Sequence, residues 1–442
     1  MKNARNAANA LITALYLRFR RHDNGEGTGE GVMKAVIIGA GLGGLLAGAK
    51  LTKAGHDVEI FERLPFTGGR FTNLPYQGFK LSTGALHMIP HGSRGPLAQM
   101  LREVEADVTI IDSYPMAVIR KENGDIISFH DFRNELSLTK QIKLGTVLAY
   151  SLKFKPKNDI SFRDWVLKYF DDEFLFKLAD SFCGWALSLQ ARDVPAHEML
   201  EIIDNMYLYK GSGIPVGGCG AVTGALSEII RSKSGRIHTR SCVERIIIDK
   251  DVAKGVIVDG KTIDSDIVIS DAGHFETSRL FECKDREYLD KITNVKPSKG
   301  IKICLSSDEP LIGHSGVYFT PYAQRINGIN EVTNADPSLA PPGKHLVMSH
   351  QALISDDLRG EINLGLLDLQ QLFRGKKYEV LLIQSYSGGW PVNRASSGSD
   401  NGSSTPVKNL YIVGDGAKGK GGIEVEGVAL GVRNAIEEIG AG

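Results

Sequence analysis

The chain has 442 residues, and its 52 Lys and Arg balance 52 Asp and Glu, so no basic surface predicts a nucleic acid partner. Its five cysteines form no C-x-x-C pair, which argues against a zinc ribbon, a thioredoxin-type centre and a disulfide framework, and we predict no metal site. No apolar run approaches the roughly 18 residues that span a bilayer, so we expect a protein that is cytoplasmic or peripheral to a membrane.

Residues 1–32 are predicted to be a leader outside the folded domains. The first 21 residues are basic, contain no acid, and carry an apolar cluster at Leu11, Ile12 and Leu15. Three interpretations stay open: a disordered leader before a true start at Met33, an amphipathic membrane-surface anchor, or a targeting peptide. The glycine-rich stretch from 23 to 31 then acts as a linker.

The most informative segment runs from Ala35 to Glu62 and is typical of a strand, a glycine turn, a helix and a second strand. The turn carries Gly39, Gly41 and Gly44 in G-x-G-x-x-G spacing. These glycines make the tight turn, let the backbone approach a pyrophosphate, and let the helix pack close to the strand. The diphosphate then lies at the helix N-terminus, whose free N–H groups and dipole favour negative charge. Glu62 stands near the roughly 20-residue spacing expected of the ribose-binding acid, so the segment predicts a dinucleotide site.

The next part of the chain mixes loops, strands and helices. A loop with the glycine pair Gly68-Gly69 and Arg70 follows the second strand, and strand patterns near 118–119 and 126–127 flank ENGD at 122–125, a hairpin signal. Residues 161–206 have helical periodicity, with Ser161 as a candidate cap.

Eight aromatic residues lie between Phe162 and Trp185 in this helical region. They are interpreted either as the core of a helical subdomain or as the walls of an apolar substrate tunnel.

The C-terminal half contains a second informative motif. A glycine-rich stretch at 211–220, a helix at 222–232 and several β-rich runs precede it. Leu410 to Val413 is predicted to be a buried strand, followed by the turn Gly414-Asp415-Gly416 and by a helix from Gly427. A carboxylate at such a turn can accept hydrogen bonds from a sugar-like hydroxyl. Two cofactor-contacting elements so far apart imply a long cofactor, and FAD has that extent.

These motifs resemble the FAD-dependent amine oxidase and phytoene desaturase superfamily from about residue 34 to 440. The middle of the chain and the segment that begins PVNRASSG resemble the carotenoid desaturase and carotene isomerase branch more than the amine oxidases. The resemblance implies an α/β fold, with a Rossmann-like FAD-binding domain of the GR2 type and an inserted mixed α+β substrate domain. We predict FAD-binding segments at 33–100, 211–285 and 376–442, and substrate-domain segments at 101–210 and 286–375, with a helical lid at 160–206.

The resemblance also implies roles for individual residues. Glu62 would bind the adenosine ribose, Val243 would contact adenine through its backbone, and Asp415 would bond the ribityl or pyrophosphate part. The loop with Gly69 and Arg70 would lie along the pyrophosphate and flavin. The full cofactor-binding set is Gly39, Ala40, Gly41, Gly43, Gly44, Glu62, Arg63, Gly68, Gly69, Arg70, Val243, Gly414, Asp415, Gly422, Ile423 and Val425.

Two departures from the amine oxidases bear on the chemistry. Some amine oxidases attach flavin through a cysteine in the C-terminal region, but this chain has no cysteine after Cys304, so we expect non-covalent FAD. The second departure concerns the paired aromatics that cage an amine substrate in the amine oxidases. Tyr386 and Trp390 are candidates, and core roles fit them equally well.

The resemblance implies an enzyme, an FAD-dependent oxidoreductase that transfers hydride between flavin N5 and an apolar isoprenoid or polyene substrate, like the phytoene desaturases. Two alternatives stay open: a flavin amine oxidase or protoporphyrinogen-type oxidase, and a lipid-binding protein of the same fold without turnover. The expected partners are the small apolar substrate, an unspecified electron acceptor and, through peripheral association, a membrane.

Two residues are candidates for catalysis. His87, soon after the glycine-arginine loop, would be a polar group near the flavin ring, although a lone histidine is more often structural. Lys302 is the other, because amine-oxidase-type enzymes often place a lysine near N5. The alternative for Lys302 is a charge on the surface of a strand.

Overall fold

The computed structural model describes residues 31–156, 160–295, 297–386 and 401–440. Met1–Met33 and Lys34–Gly442 form separate units, and every element below belongs to the second. The predicted leader up to residue 30, and the segment 387–400 with Trp390 and PVNRASSG, lie outside the described residues.

The described chain contains strands and helices throughout. The strands are β1 Lys34–Ile38, β2 Asp57–Glu62, β3 Asn73–Tyr76, β4 Phe79–Ser82, β5 Ile110–Asp112, β6 Ala117–Arg120, β7 Ile126–Ser128, β8 Gly213–Pro215, β9 Arg236–Thr239, β10 Val243–Asp249, β11 Val252–Val258, β12 Lys261–Asp264, β13 Ile267–Ser270, β14 Gly300–Ser307, β15 Val317–Phe319, β16 Gly328–Glu331, β17 His345–Ala352, β18 Glu379–Tyr386 and β19 Leu410–Ile412. The α-helices are α1 Leu42–Lys53, α2 Pro96–Glu103, α3 Leu138–Lys153, α4 Phe162–Tyr169, α5 Glu173–Leu187, α6 Ala196–Tyr209, α7 Cys219–Ser232, α8 His274–Ser278, α9 Arg286–Thr293, α10 Leu358–Leu372 and α11 Glu424–Ile439.

The first sheet is parallel, with strand order β19-β13-β1-β2-β9. Its central strand β1 is almost entirely buried, as expected when helices cover both faces of a parallel sheet. Helix α1 contacts both α7 and α11, which come from distant parts of the chain. Three separate segments therefore build one Rossmann-like layer, and the carboxyl ends of its strands meet at one edge.

The second sheet is mixed and has seven strands in the order β18-β14-β17-β16-β15-β6-β7. Strand β14 is buried along its whole length between β17 and β18. The predicted third cofactor segment starts at 376, whereas strand β18, Glu379–Tyr386, pairs with β14 and continues the second sheet. A strand's partner depends on distant residues, so the local sequence around 376 does not reveal this pairing.

The predicted hairpin and helical region are present. Strands β6 and β7 pair across residues 122–125, and the N–H of Lys121 donates to the oxygen of Asp125 at 2.8 Å. The hydroxyl of Ser161 accepts from the N–H of Asp164 at 3.0 Å and caps α4. Within the helical region, Phe162 and Trp165 are buried in the core.

Candidate functional site

The glycine turn joins β1 to α1 in the way its spacing predicts. Gly39 has φ +93°, and its N–H donates to the oxygen of Phe61 at 2.8 Å. A Cβ on Gly44 would lie 2.1 Å from the oxygen of Gly39, so helix and turn are in direct contact. A Cβ on Gly43 would lie 2.6 Å from the nitrogen of Gly414. The turn therefore has no room for side chains, and the C-terminal motif packs directly against it.

Glu62 ends β2 beside this turn. Its two carboxylate oxygens accept from the N–H groups of Ala40 and Leu64, each at 2.8 Å, and the residue is 7% exposed. The N–H of Ser241 donates to the backbone oxygen of Glu62 at 2.9 Å, which brings the start of β10 to the same place. Val243, the first residue of β10, is buried. Glu62 and Val243 thus lie near each other, as the predicted adenosine end requires, and Arg63 follows directly.

The loop with Gly68 and Gly69 lies along the turn. Gly68 donates to the oxygen of Ala40 at 2.6 Å and forms a parallel bridge with Gly41. Both loop glycines have positive φ, +98° and +54°, a conformation that other residues adopt only with strain. Arg70 then forms an ion pair with Asp415. The structure therefore joins the second and the last predicted cofactor motifs through a charge pair.

Asp415 is shared by two cations. Besides Arg70, it pairs with Lys418, which is fully buried. Burial lowers the pKa of Lys418, and the negative charge of Asp415 opposes that shift. Gly414 has φ +84°, and the short 3₁₀-helix Gly414–Ala417 carries the motif between β19 and α11. Gly422, Ile423 and Val425 follow at the start of α11.

Sequence reasoning missed Asp271, which stands between these motifs. A Cβ on Gly41 would lie 2.3 Å from its Oδ2, and a Cβ on Gly43 would lie 2.5 Å from its Oδ1. Burial raises the pKa of Asp271 to about 8, although its hydrogen bond with the N–H of Gly44 favours the carboxylate. Asp271 directly follows β13, which pairs with β1. The apolar run IVIS before DAG is the signal that could have found it, because ligands bind at the carboxyl ends of such strands.

An apolar cavity lies between the second sheet and the helical region. It is narrow, about 60 Å³, and includes Ile423 at the start of α11. The side chains that line it include Met88, Met116, Phe129, Phe182, Trp185 and Phe319. Trp185 therefore belongs both to the core and to the cavity wall, whereas Phe162 and Trp165 lie in the core and do not line the cavity.

Glu424 is the one acidic residue that lines this cavity among the described residues. It begins α11 with φ +44° and stays partly accessible through the cavity. Burial raises the pKa of Glu424 to about 8, and the positive charge of Lys418 opposes the shift. Its neighbour Glu426 differs, since its carboxylate accepts from the N–H groups of His91 and Leu97 at 3.0 and 2.8 Å and joins α11 to α2. Of these two carboxyl groups, Glu424 is the one that lines the cavity.

The two predicted catalytic residues are buried and hydrogen-bonded. Nδ1 of His87 accepts from the N–H of Cys219 at 3.1 Å, so Nε2 carries the proton and donates to the oxygen of Lys80 at 2.8 Å. Burial lowers the pKa of His87 to about 4. The ammonium of Lys302 donates to two oxygens of Ser82, at 2.6 and 3.0 Å, and to the oxygen of Gly84 at 2.7 Å. Burial lowers the pKa of Lys302 to about 8.

Neither His87 nor Lys302 is among the described residues that line the cavity. Tyr386, the described member of the predicted aromatic pair, donates its hydroxyl to the same oxygen of Gly84 at 2.8 Å and stacks on His350. The catalytic roles of His87 and Lys302 stay predictions, and the contacts observed here are structural.

Two kinds of feature are missing from the described residues. No set of three or more His, Cys, Asp or Glu side chains there is arranged to hold a metal. In the same ranges, each helix is too short or too polar to traverse a bilayer.

Known proteins resemble this chain over most of its length. Residues 42–435 match the flavin containing amine oxidoreductases. An uncharacterized protein of Methanocaldococcus jannaschii is 46% identical over 420 residues, which are 92% of this chain and 99% of the relative. The crystal structure of an oxidoreductase from Methanosarcina mazei is 52% identical, with a TM-score of 0.88, and covers 92% of this chain and 100% of that one. A neurosporene-forming phytoene desaturase of Rhodobacter capsulatus is 26% identical over 59% of this chain and 58% of its own.

These matches confirm the predicted α/β fold, in which a Rossmann-like layer is joined to a mixed substrate-domain sheet. They also confirm the predicted superfamily and an oxidoreductase activity. The chain belongs to the family of flavin containing amine oxidoreductases.

Proposed function

We propose that the chain binds FAD without a covalent bond and oxidises or reduces an apolar, isoprenoid or polyene substrate. The observation that carries the proposal is a cavity walled mainly by apolar and aromatic side chains, with one acid, Glu424, next to the predicted cofactor-binding residue Ile423. A substrate with many polar groups would leave them without hydrogen-bond partners against such walls. An apolar chain has no such cost.

The residues present fit FAD. The glycine turn leads directly into the N-terminus of α1, which favours a diphosphate, and the space beside Gly41 and Gly43 is filled by Asp271 and Gly414. Glu62 stands at one end of the turn and Asp415 at the other, where the hydroxyls of a ribose and a ribityl chain need acceptors. The described part of the C-terminal region contains no cysteine, and neither does its sequence, which supports non-covalent binding.

The chain's own residues would orient the substrate and hold or accept a proton. When bound, the flavin supplies the hydride acceptor or donor. The walls formed by Phe182, Trp185 and Phe319 exclude water and hold an extended chain in place. Because the cavity is small, it fits part of such a chain, and the rest must lie outside it. Glu424 can hold or accept a proton at its carboxyl oxygen, since its raised pKa lies close to neutral pH.

Flavin retention tests the cofactor assignment. We expect purified protein to absorb as a flavin, to release FAD on acid precipitation, and to lose most of it in Glu62→Ala and Asp415→Ala. Glu228→Ala removes an exposed acid from α7 and should retain FAD like the unaltered protein. Full retention in the first two variants would exclude the proposed site, and flavin that stays with the precipitate would show a covalent bond.

Glu424→Gln tests whether the carboxyl group of Glu424 takes a proton during the reaction. If Glu424 takes the proton, kcat at saturating FAD rises as pH increases through about 8, because only the carboxylate can accept it. We expect the glutamine variant to keep its flavin and to lose roughly 10²-fold or more in kcat, together with this pH dependence. An unchanged pH profile would remove Glu424 from the mechanism.

Amine oxidation is the second candidate, because the carboxyl of Glu424 could pair with an ammonium group in the cavity. Its raised pKa disfavours the charged form that such pairing requires. Oxygen consumption with a panel of primary amines, compared with flavin reduction by isoprenoids and polyenes under anaerobic conditions, distinguishes the two. Bound flavin that no substrate of either class reduces would favour a lipid-binding protein without turnover.

A further inference from the structure

One face of helix α3, Leu138–Lys153, is exposed and apolar. Leu138, Ile142 and Tyr150 are 71%, 62% and 60% exposed, and Phe154 just beyond the helix is 54% exposed. Their spacing places them along one side of the helix. The opposite side packs on the core through the partly buried Leu144, Val147, Leu148 and Leu152. The helix is therefore anchored by one apolar face and presents a second one outward.

The charges on and after α3 have one sign. Between Glu135 and Asp159 the sequence contains five lysines and no acid, although the whole chain is neutral. Lys140 is compensated by Asp172 at 2.5 Å. Lys143, Lys153 and Lys155 are exposed and, among the described residues, have no acidic partner within ion-pair distance.

Exposed apolar side chains flanked by uncompensated lysines are the pattern of a helix that lies in the headgroup region of a membrane. The apolar side chains enter the acyl boundary, and the lysines contact anionic headgroups. A second copy of this chain fits less well, because two identical faces would oppose lysines to lysines. We propose that α3 and Phe154 form a docking surface for a bilayer that contains anionic lipid.

The position of α3 suits a protein that takes an apolar ligand from lipid. Helix α3 contacts α6, Ala196–Tyr209, whose last turn exposes Tyr207 and Leu208 at 66% and 67%. Met206 and Lys210, on either side of this pair, line the apolar cavity. Only this link between the docking surface and the apolar cavity rests on the proposed function. The docking surface itself does not depend on which reaction the protein catalyses.

Flotation of the full chain with vesicles tests the proposal. The probes are vesicles of phosphatidylcholine with 30% phosphatidylglycerol and vesicles of phosphatidylcholine alone, each at 0.1 and 0.5 M NaCl. We expect the bound fraction to be at least fivefold higher with anionic vesicles at low salt, and to fall at high salt as screening weakens the lysine contacts.

Two variant sets separate the contributions. Leu138→Gln with Ile142→Gln should reduce binding to anionic vesicles at least tenfold, and Lys143→Gln with Lys153→Gln should remove most of the preference for anionic lipid. Leu367→Gln changes a 47% exposed leucine on α10 and should bind like the unaltered protein. Equal melting temperatures and flavin contents would show that the variants fold.

Three outcomes would overturn the proposal. One is that the unaltered chain binds neither the anionic nor the neutral vesicles. Another is binding that the α3 variants leave unchanged, which would place the contact elsewhere, for example in residues 1–32. The third is a dimer in size-exclusion chromatography that Leu138→Gln with Ile142→Gln dissociates while vesicle binding is absent, which would assign the face to a second copy. None of these outcomes bears on flavin binding or turnover, so the two proposals fail separately.

Discussion

Replacing Asp271 by asparagine should remove a pH dependence of FAD binding. The carboxyl of Asp271 touches the glycine turn where the diphosphate is proposed to lie, with its oxygens 2.3 and 2.5 Å from where Cβ atoms of Gly41 and Gly43 would be. Burial raises the pKa of this carboxyl to about 8, so it holds a proton at neutral pH. A diphosphate beside it raises the pKa further in the complex, because like charges disfavour ionisation.

The size and sign of the effect follow from this geometry. Two like charges about 5 Å apart repel by about 3 kcal/mol at an effective dielectric constant of about 20, equivalent to roughly two pKa units. Since the pKa is higher in the complex, FAD binding takes up a proton above pH 8. The affinity should stay level below about pH 8 and fall by up to about tenfold for each pH unit above it. In the flavin-free protein, the same raised pKa means that stability declines as pH increases from about 4 to about 8.

Equilibrium dialysis of FAD between pH 6 and 9 provides the measurement. We expect the unaltered protein to weaken from pH 8 to 9, while Asp271→Asn has the same affinity across the range. Asp259→Asn is the matched control, because Asp259 is exposed in a turn with φ +49°, which asparagine also adopts. An equal slope in Asp271→Asn and the unaltered protein would exclude Asp271 as the source of the pH dependence, as would a slope of the opposite sign.

Substitutions at the turn, on strand β14 and in the cavity give further expected outcomes. Gly41→Ala should reduce FAD affinity at least tenfold, because its Cβ would lie 2.3 Å from a carboxyl oxygen of Asp271. A Cβ on Gly224 would have no atom within 4 Å, so Gly224→Ala should leave the free energy of unfolding unchanged or raise it by up to about 1 kcal/mol in thermal unfolding. Lys302→Met should lower the free energy of unfolding by about 1–3 kcal/mol in urea denaturation, because it removes the buried donor to the two oxygens of Ser82, while the oxygen of Gly84 keeps its bond from the hydroxyl of Tyr386. The half-exposed Lys299→Met should cost less than about 1 kcal/mol, and similar values for the two variants would contradict the observed contacts. Ala186→Phe fills the cavity and should abolish turnover of large apolar substrates while flavin absorbance stays, and full activity would place the substrate elsewhere.

The cofactor turn was predictable because its requirements are local. Gly39 adopts φ +93° and Gly44 contacts the turn's own backbone, so both demands are readable in a few adjacent residues. The contacts among Gly68, Gly414 and this turn are long-range, and only the family resemblance pointed to them. The pairing of Arg70 with Asp415 was not predicted, since it joins residues 345 positions apart.

The rest of the site depends on packing that the sequence does not display. Asp271 follows a strand whose pattern matches several other β-rich runs, and its importance comes from the pairing of β13 with β1. The raised pKa of Glu424 arises from burial, and the residues that share its cavity come from distant parts of the chain. The sequence around a single histidine does not show whether its side chain is buried, and His87 is 0% exposed.

The strand order of the first sheet has a consequence for synthesis of the chain. Strand β19 pairs with β13 and directly precedes the turn with Asp415, yet it is synthesised after the other strands of this sheet, and most of the second sheet lies between them in the chain. A nascent chain would hold the glycine turn for most of translation without the residues that close it. Such long-range closure is slow, because the entropy of a large loop must be lost before the contacts form. Binding of the cofactor would then require that the C-terminal strand has docked, so it would occur late in folding.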